Sequence, residues 1–307
     1  MQNSIKIIAI VGPTASGKSD LAAHIAQKIN GEIISVDSRQ VYKGMDIGTG
    51  KVPITSKLLS RGKMEYMYMG IPHWGLDIAN PKSQYSVTKF QKYAKKKIIE
   101  ITKRGNFPIL CGGTAHWMDA VVFEQQFPQV PPNPKLRKQL EGKTTEHLFK
   151  QLEEVDPGTA KRVDQKNPRR LIRAIEIITA TGETIPAISA SSPYECLWIG
   201  LRQDTAVLRK NIEKRLTERI EQGLMAEVEN LHSSGLSWKK LESFGLEYKF
   251  SALLLQGKLN KMEFSTLLTN EIWHYAKRQM TWWKRNDAIN WFETPARALS
   301  KIKKLTL

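Results

Sequence analysis

An apolar run from Ile7 to Val11 stops at Gly12, and Gly12 to Ser19 then reads GPTASGKS. That segment fits G-x-x-x-x-G-K-[ST] without a mismatch, and no other stretch restricts the fold as strongly. A buried strand delivers a glycine-rich loop, and the loop opens a helix whose free N–H groups and positive dipole end suit an anion. Gly12 and Gly17 allow backbone conformations and close approach that a Cβ would hinder. Lys18 is long enough to reach the outer phosphate of a diphosphate or triphosphate, and the Ser19 hydroxyl is a ligand for Mg²⁺. Leu21, Ala22, Ile25 and Ile29 repeat at helical spacing, with Gly31 as a stop. The expectation is a phosphate site built from Gly12, Pro13, Thr14, Ala15, Ser16, Gly17, Lys18 and Ser19. The motif selects an oligophosphate and leaves open which one.

Two further buried strands follow. Glu32 to Asp37 (EIISVD) ends in a carboxylate, and Pro108 to Cys111 is closed by Gly112-Gly113-Thr114. Strands of this kind alternating with helices make a parallel sheet, and ligands in open α/β sheets collect at the carboxyl ends of the strands. Asp37 is therefore expected to face the same crevice as the phosphate loop, although a turn or a helix cap is the ordinary use of such a residue. Ser38 to Lys51 mixes glycines, cations and hydroxyls without periodicity, as an ordered functional loop does. Pro72 to Asp77 (PHWGLD) reads as another irregular piece. Between them and the third strand, Val87, Phe90, Tyr93, Ala94, Ile98 and Ile101 mark a helix from Ser86 to about Arg104.

The character changes near Phe123. The segment from Phe127 to Pro134 is proline-rich linker chemistry, and residues 135 to 182 are helical throughout. Asn167 with Pro168 reads as a helix start, and Arg169, Arg170 and Arg173 crowd that start against the helix dipole, which calls for an external anionic partner. A Pro- and Ser-containing loop from Thr184 to Pro193 closes the block. Strand character returns at Cys196 to Leu201, so residues 123–194 are expected to be an all-helical insertion in a P-loop NTPase-like α/β core made of 1–122 and 195–307. In the last third, Ile212 to Leu231 reads as one long helix, and a final helix from about Lys261 to Asn286 ends in YAKRQMTWWKR. Aromatics interleaved with cations suit RNA, through stacking and phosphate pairing, and equally suit an ordinary amphipathic helix.

Charge adds a constraint on partners. The 47 Lys+Arg against 30 Asp+Glu of this 307-residue chain give +17, an excess that favours a polyanion such as nucleic acid or an acidic membrane surface. Only two cysteines occur, Cys111 and Cys196, without the spacing of a disulfide framework or a zinc site. No apolar stretch approaches a membrane span and no signal pattern opens the chain, so a cytoplasmic protein is expected.

The blocks GPTASGKS, SVDSRQVYKGMDIGTGK, PHWGLDI, GGT, NPRRLIR, GLEYK and YAKRQMTWWKR occur in the order seen in tRNA dimethylallyltransferases (tRNA isopentenyltransferases), and the chain resembles that family over nearly its whole length. The resemblance implies transfer of a dimethylallyl group from dimethylallyl diphosphate to N6 of adenosine 37, just 3′ of the tRNA anticodon, with Mg²⁺ and by a monomer. Carried over by position, Asp37 looks like the general base, and Thr14 and Arg215 look like diphosphate and active-site contacts. Gly12 to Ser19 would cradle the diphosphate with Ser19 near the metal. Asp37, Ser38, Arg39 and Gln40 resemble one tRNA-contacting loop, and Arg169, Arg170, Leu171, Ile172 and Arg173 a second; Thr114 and Arg137 match further tRNA-facing positions. Asn211, Trp74, Trp117 and Gly50 depart from the family's common pattern and bear on tRNA preference. Three other readings stay open on the residues: a small-molecule kinase with Asp37 as base, a non-catalytic nucleotide switch that binds RNA, and a prenyltransferase acting on free adenine nucleotides.

Overall fold

Seven residues, Ile5–Val11, form strand β1, and their alternation decides the layers. Ile7, Ala9 and Val11 enter one hydrophobic cluster while Ile8 and Ile10 enter another, so the two faces of the sheet each carry a core. The computed structural model describes residues 4–53, 55–58, 64–186 and 191–302. After β1 come α1 (Lys18–Ile29), β2 (Gly31–Ser35), the antiparallel pair β3 (Thr55–Leu58) and β4 (Met64–Tyr68), and β5 (Ile71–Trp74). Then follow α2 (Val87–Lys103), β6 (Phe107–Cys111) and α3 (Ala115–Val122). Helices α4 (Pro134–Leu140), α5 (Thr145–Val155), α6 (Pro157–Arg162) and α7 (Pro168–Thr181) precede β7 (Tyr194–Leu201). The rest is α8 (Thr205–Glu221), α9 (Leu224–Ser233), α10 (Trp238–Ser243), α11 (Leu246–Leu255), α12 (Lys261–Trp283), β8 (Asn290–Phe292) and α13 (Pro295–Ile302).

The sheet has eight strands in the order β3-β4-β5-β2-β6-β1-β7-β8. From β5 to β8 every neighbouring pair is parallel. Strand β1 is paired on both sides, in register Ile10↔Cys111 with β6 and Ile10↔Ile199 with β7. The chain leaves β1 towards β2 on one side and later adds β7 and β8 on the other, so the strand order reverses at β1, which is where an open α/β sheet forms its ligand crevice. The carboxyl ends of β2, β6 and β1 are bonded into one rim: Val36 N donates to Cys111 O at 2.8 Å and Gly112 N to Ile10 O at 3.2 Å. Helix α1 covers one face through Leu21, Ala22 and Ile25. The other face takes α2 and the C-terminal helices, whose Leu216, Val228, Tyr248, Leu268 and Trp283 share its cluster.

The chain divides into two compact units, Met1–Glu124 with Ser192–Leu307, and Gln125–Ser191. The smaller one is α4 to α7 around Leu140, Leu148, Leu152, Leu171 and Ile175. Three of its four helix starts share one device, an Asn or Asp cap followed by proline: Asn133 accepts from Leu136 N, Asp156 from Thr159 N and Asn167 from Arg170 N, while Thr144 caps α5. Pro134, at the end of the segment expected to be linker, opens α4.

Three sequence expectations change. The piece expected to be irregular at Pro72 to Asp77 contains β5, parallel to β2 and antiparallel to β4. Pro72 and the short length hide its alternation, in which Ile71 and His73 are buried and Pro72 and Trp74 are not. The single helix expected from Ile212 to Leu231 is two, α8 and α9, because Gly223 between them has φ 101° and caps the second. The last long helix stops at Trp283, and the chain then adds β8 and α13. Residues 187–190 of the expected Thr184 to Pro193 loop lie outside the described residues.

Candidate active site

Gly12 at φ 143° lies where a Cβ would meet the Leu201 carbonyl oxygen at 2.6 Å, so the loop can pass the end of β7 only with glycine there. Ala15 and Gly17 also have positive φ, at 61° and 83°. Gly17 caps α1 without any side-chain bond, which leaves the first amides of the helix free to meet an anion. Ser16 is buried and its hydroxyl has no partner among the described residues. Lys18 Nζ bends back to donate to Pro13 O at 2.5 Å. Burial, then the charge of Arg215, pulls the Lys18 pKa down from 10.5 to about 8, against Cys111 and Asp37. Thr14, Lys18, Ser19, Asp37, Gln40 and Arg215 all line one cavity of about 100 Å³ at the strand ends.

Arg215 comes from α8 and donates through Nη1 to Thr14 Oγ1 at 3.0 Å. Its pKa falls to about 10, first through burial and then through the like charge of Arg219. Arg219 is buried and paired with Glu247 of the GLEYK block. Lys18 and Arg215 thus share the buried cavity with the single carboxylate of Asp37, two cations to one anion in low dielectric. Asp37 lies two residues past the end of β2. Its Oδ1 accepts from Arg39 N at 2.8 Å and Gln40 N at 3.3 Å, so the residue closes an Asx turn and lines the cavity at once. Ser38 N donates to Thr114 Oγ1 at 3.1 Å, which ties the Asp37 loop to the turn after β6. Asp37, Ser38 and Arg39 also line an adjoining pocket of about 360 Å³ with Phe244, Tyr275 and Arg278, and Arg39 lies 5.6 Å from the Phe244 ring centre. Burial followed by the Asp37 charge raises the Tyr275 pKa.

The loop after Asp37 is held at many points. Gln40 accepts from Ser35 Oγ at 2.7 Å and donates to the carbonyls of Thr49 and Gly50. Lys51 reaches Tyr42 O, Asp46 and Asp77 with its side chain buried. Glu227 of α9 accepts from the amides of Asp46, Ile47 and Gly48 and from the Tyr248 hydroxyl. Glu227 escaped the sequence reading, since it sits in a helix assigned only by its apolar spacing. Gln279 also escaped it: its side chain bridges Thr14 N and Gly113 O, both at 2.8 Å. In the structure it lies on the inward stripe of α12, with Ile272, Ala276 and Trp283.

The smaller unit shows how part of the expected tRNA-facing set is held. Leu171 and Ile172 are buried in its core, at 0% and 7% exposure. Arg137 and Arg173 are bound internally to Glu176, whose side chain is fully buried, and Arg173 Nη2 also donates to Val130 O at 2.8 Å. Both arginines share this carboxylate and keep 37% and 35% of their side chains exposed. Arg169 and Arg170 are exposed.

No group of three or more His, Cys, Asp or Glu among the described residues could hold a metal. Mg²⁺ does not need one, because it keeps several waters and takes one or two protein ligands beside substrate phosphates. Ser19, which lines the same cavity as Asp37, fits that use. No helix among the described residues is long and apolar enough to cross a membrane.

Comparison with known proteins follows the same residues. Residues 40–286 match the family model for IPP transferase. The chain is 37% identical over 295 residues to tRNA dimethylallyltransferase 2 of Trichlorobacter lovleyi, covering 95% of this chain and 93% of that one. It is 39% identical over 308 residues to tRNA dimethylallyltransferase of Carboxydothermus hydrogenoformans, covering 97% and 95%. The solved tRNA isopentenylpyrophosphate transferase of Staphylococcus epidermidis has a TM-score of 0.68 at 31% identity, over 98% of both chains. A eukaryotic dimethylallyltransferase caught acting on tRNA has a TM-score of 0.74 at 25% identity, over 91% of this chain and 70% of that one. On the match over residues 40–286 and relatives of this identity and coverage, the chain belongs to the IPP transferase family, that of the tRNA dimethylallyltransferases.

Proposed function

We propose that the protein transfers a dimethylallyl group from dimethylallyl diphosphate to N6 of adenosine 37 in tRNA, releasing diphosphate. The observation that carries this reading is the convergence of Asp37, Lys18 and Arg215 on one cavity at the ends of adjoining parallel strands. The free amides of α1, with Lys18 and Arg215, bind the diphosphate and stabilise the charge that builds on it as the allylic C1–O bond breaks. Such preorganised donors contribute about 3 to 4 kcal/mol each when removed singly. The exocyclic amine attacks C1, and Asp37 takes its proton as the C–N bond forms. When Mg²⁺ is bound beside Ser19, it supplies further neutralisation of the leaving diphosphate. Phe244 and Tyr275, with Arg39 and Arg278, give the adjoining pocket the stacking and phosphate-pairing groups that an unstacked base and its backbone require. Exposed Arg169 and Arg170 add charge for tRNA, and the enzyme works as a cytoplasmic monomer.

The test is incubation of the pure protein with radiolabelled dimethylallyl diphosphate and either unmodified tRNA or AMP. Label in the tRNA at the adenosine 3′ of the anticodon is the expected result. Label in AMP alone would make the acceptor a free nucleotide, and label in neither would remove the prenyl-transfer reading.

A further inference from the structure

Helix α12 buries Phe264, Leu268, Ile272, Ala276, Gln279 and Trp283 on one stripe, and Gln279 is its polar member. A carboxamide 5% exposed in an apolar stripe has to be paired, and it is paired in both directions. Oε1 accepts from Thr14 N in the phosphate loop, and Nε2 donates to Gly113 O in the turn after β6. The amide therefore joins three segments far apart in sequence: the loop after β1, the turn after β6 and the last long helix. Thr14 is held twice, with its N–H on Gln279 and its Oγ1 taking the Arg215 bond. The same helix is fixed to the segment after β6 at one more place, through Trp282 Nε1 to Asp119 at 2.7 Å.

We propose that Gln279 is a positioning residue for the transfer reaction, acting through Thr14 and Arg215. It fixes the front of the diphosphate loop against the Gly112–Thr114 turn and the base-stacking helix, so that the leaving group and the acceptor meet in one geometry. This inference rests on the function proposed above. A hydrogen-bond partner removed on one side frees Thr14, and Arg215 loses a fixed acceptor. The backbone of Gly113 is adapted to the bridge, since a Cβ there would run into Gln279 Nε2.

The experiment uses the full chain and two readouts: affinity for inorganic pyrophosphate by calorimetry, and single-turnover transfer to tRNA. Gln279→Met keeps the side-chain volume and removes both bonds. It is expected to weaken pyrophosphate binding several-fold and slow transfer by about 10- to 100-fold, the scale of a small misplacement of reacting groups, with tRNA affinity within twofold of wild type. Gly113→Ala displaces the amide without altering Gln279, and should give the same losses, not additive with Gln279→Met. Gln279→Glu accepts from Thr14 N but donates to Gly113 O only when protonated. Its rate relative to wild type at the same pH should therefore rise as the pH falls from about 8 to 6. A residue that merely fills space would leave that ratio flat. Transfer and pyrophosphate binding within twofold of wild type in Gln279→Met would overturn the proposal, as would a flat ratio in Gln279→Glu. If Gln279→Met fails to fold, Gly113→Ala decides on the same two readouts. If the wild-type protein labels no tRNA, the transfer reading fails by itself, while the pyrophosphate arm still reports on Gln279.

Discussion

Arg215 donates to Thr14 Oγ1 at 3.0 Å, although the two residues are 201 positions apart. The bond joins α8 to the phosphate loop and places a guanidinium where the amides of α1 begin. The cation's pKa is already down to about 10, chiefly from burial, so it gains most from an anion that replaces the lost water. Arg215→Lys keeps the charge and loses the planar fork. It is expected to weaken pyrophosphate binding by about tenfold, the effect of one lost charge-assisted bond, with unchanged tRNA affinity in a filter-binding assay.

Asp37 carries two duties that one substitution can separate. Its Oδ1 caps Arg39 N and Gln40 N, a bond that an asparagine carbonyl reproduces. Asp37→Asn should therefore fold with the loop intact and lose the base, slowing single-turnover transfer by about 10² to 10⁴. Asp37→Ala should show the same loss of rate and also a lower melting temperature. Near-normal transfer in Asp37→Asn would take the carboxylate out of the mechanism.

Lys18 gives a pH signature. The folded protein releases its proton near pH 8 and the unfolded chain near 10.5, so between those values the unfolded state binds more protons and stability rises with pH. Diphosphate binding runs the other way, because only the charged amine pairs with it. Pyrophosphate affinity should hold below pH 8 and fall by up to about tenfold per unit above it, with proton uptake at pH 8. Titration calorimetry in buffers of different ionisation enthalpy measures both, and a flat affinity from pH 7 to 9.5 would place Lys18 off the diphosphate.

The arginines of the smaller unit separate into two kinds. Burial works to raise the Glu176 pKa, yet the bonds from Arg137, Asn133 N and Arg173 hold it at about 2. That stabilisation is complete above the ordinary carboxylate value of 4.5 and is lost as pH falls from there towards 2. Arg173→Gln should lower stability by about 1 to 2 kcal/mol, less than for a fully buried pair because the arginine is partly exposed. Arg169→Gln with Arg170→Gln should leave the melting curve alone and flatten the salt dependence of tRNA binding by about 0.7 to 0.9 log units per lost phosphate contact. The opposite pattern in the two variants would exchange their roles.

The middle of the sheet, β2, β6, β1 and β7, could be read from the sequence because its central strands are buried on both faces and show as continuous apolar runs. Ile7 to Val11, the strand before Asp37 and the strand before Gly112 are of that kind. Strand β5 was missed because four residues with a proline carry no usable period, and β8 because three residues carry none at all. Within the site, Lys18, Asp37 and Arg215 were legible through motif and resemblance, since their chemistry is written in residue type. Glu227 and Gln279 were not, because each acts by bonding backbone amides or carbonyls that lie close only after folding. The ion pair of Arg173 was hidden for a related reason: the charge pattern at a helix start shows that a cation needs an anion, and not that Glu176 three positions on supplies one from within.

Ser192 Oγ donates to Val122 O at 2.7 Å, so the points where the chain leaves and re-enters the larger unit are bonded to each other. For the strands, everything between is one closed loop with pinned ends. The entropy of closing such a loop grows only with the logarithm of its length, so β7 can dock on β1 almost regardless of what the loop contains. The excursion could thus lengthen, shrink or be exchanged over evolutionary time with little penalty to the sheet. A chain in which residues 125–191 are replaced by a short Gly-Ser bridge should keep the cooperative melting of the larger unit and its pyrophosphate binding. It would have surrendered only what the excursion does for the acceptor.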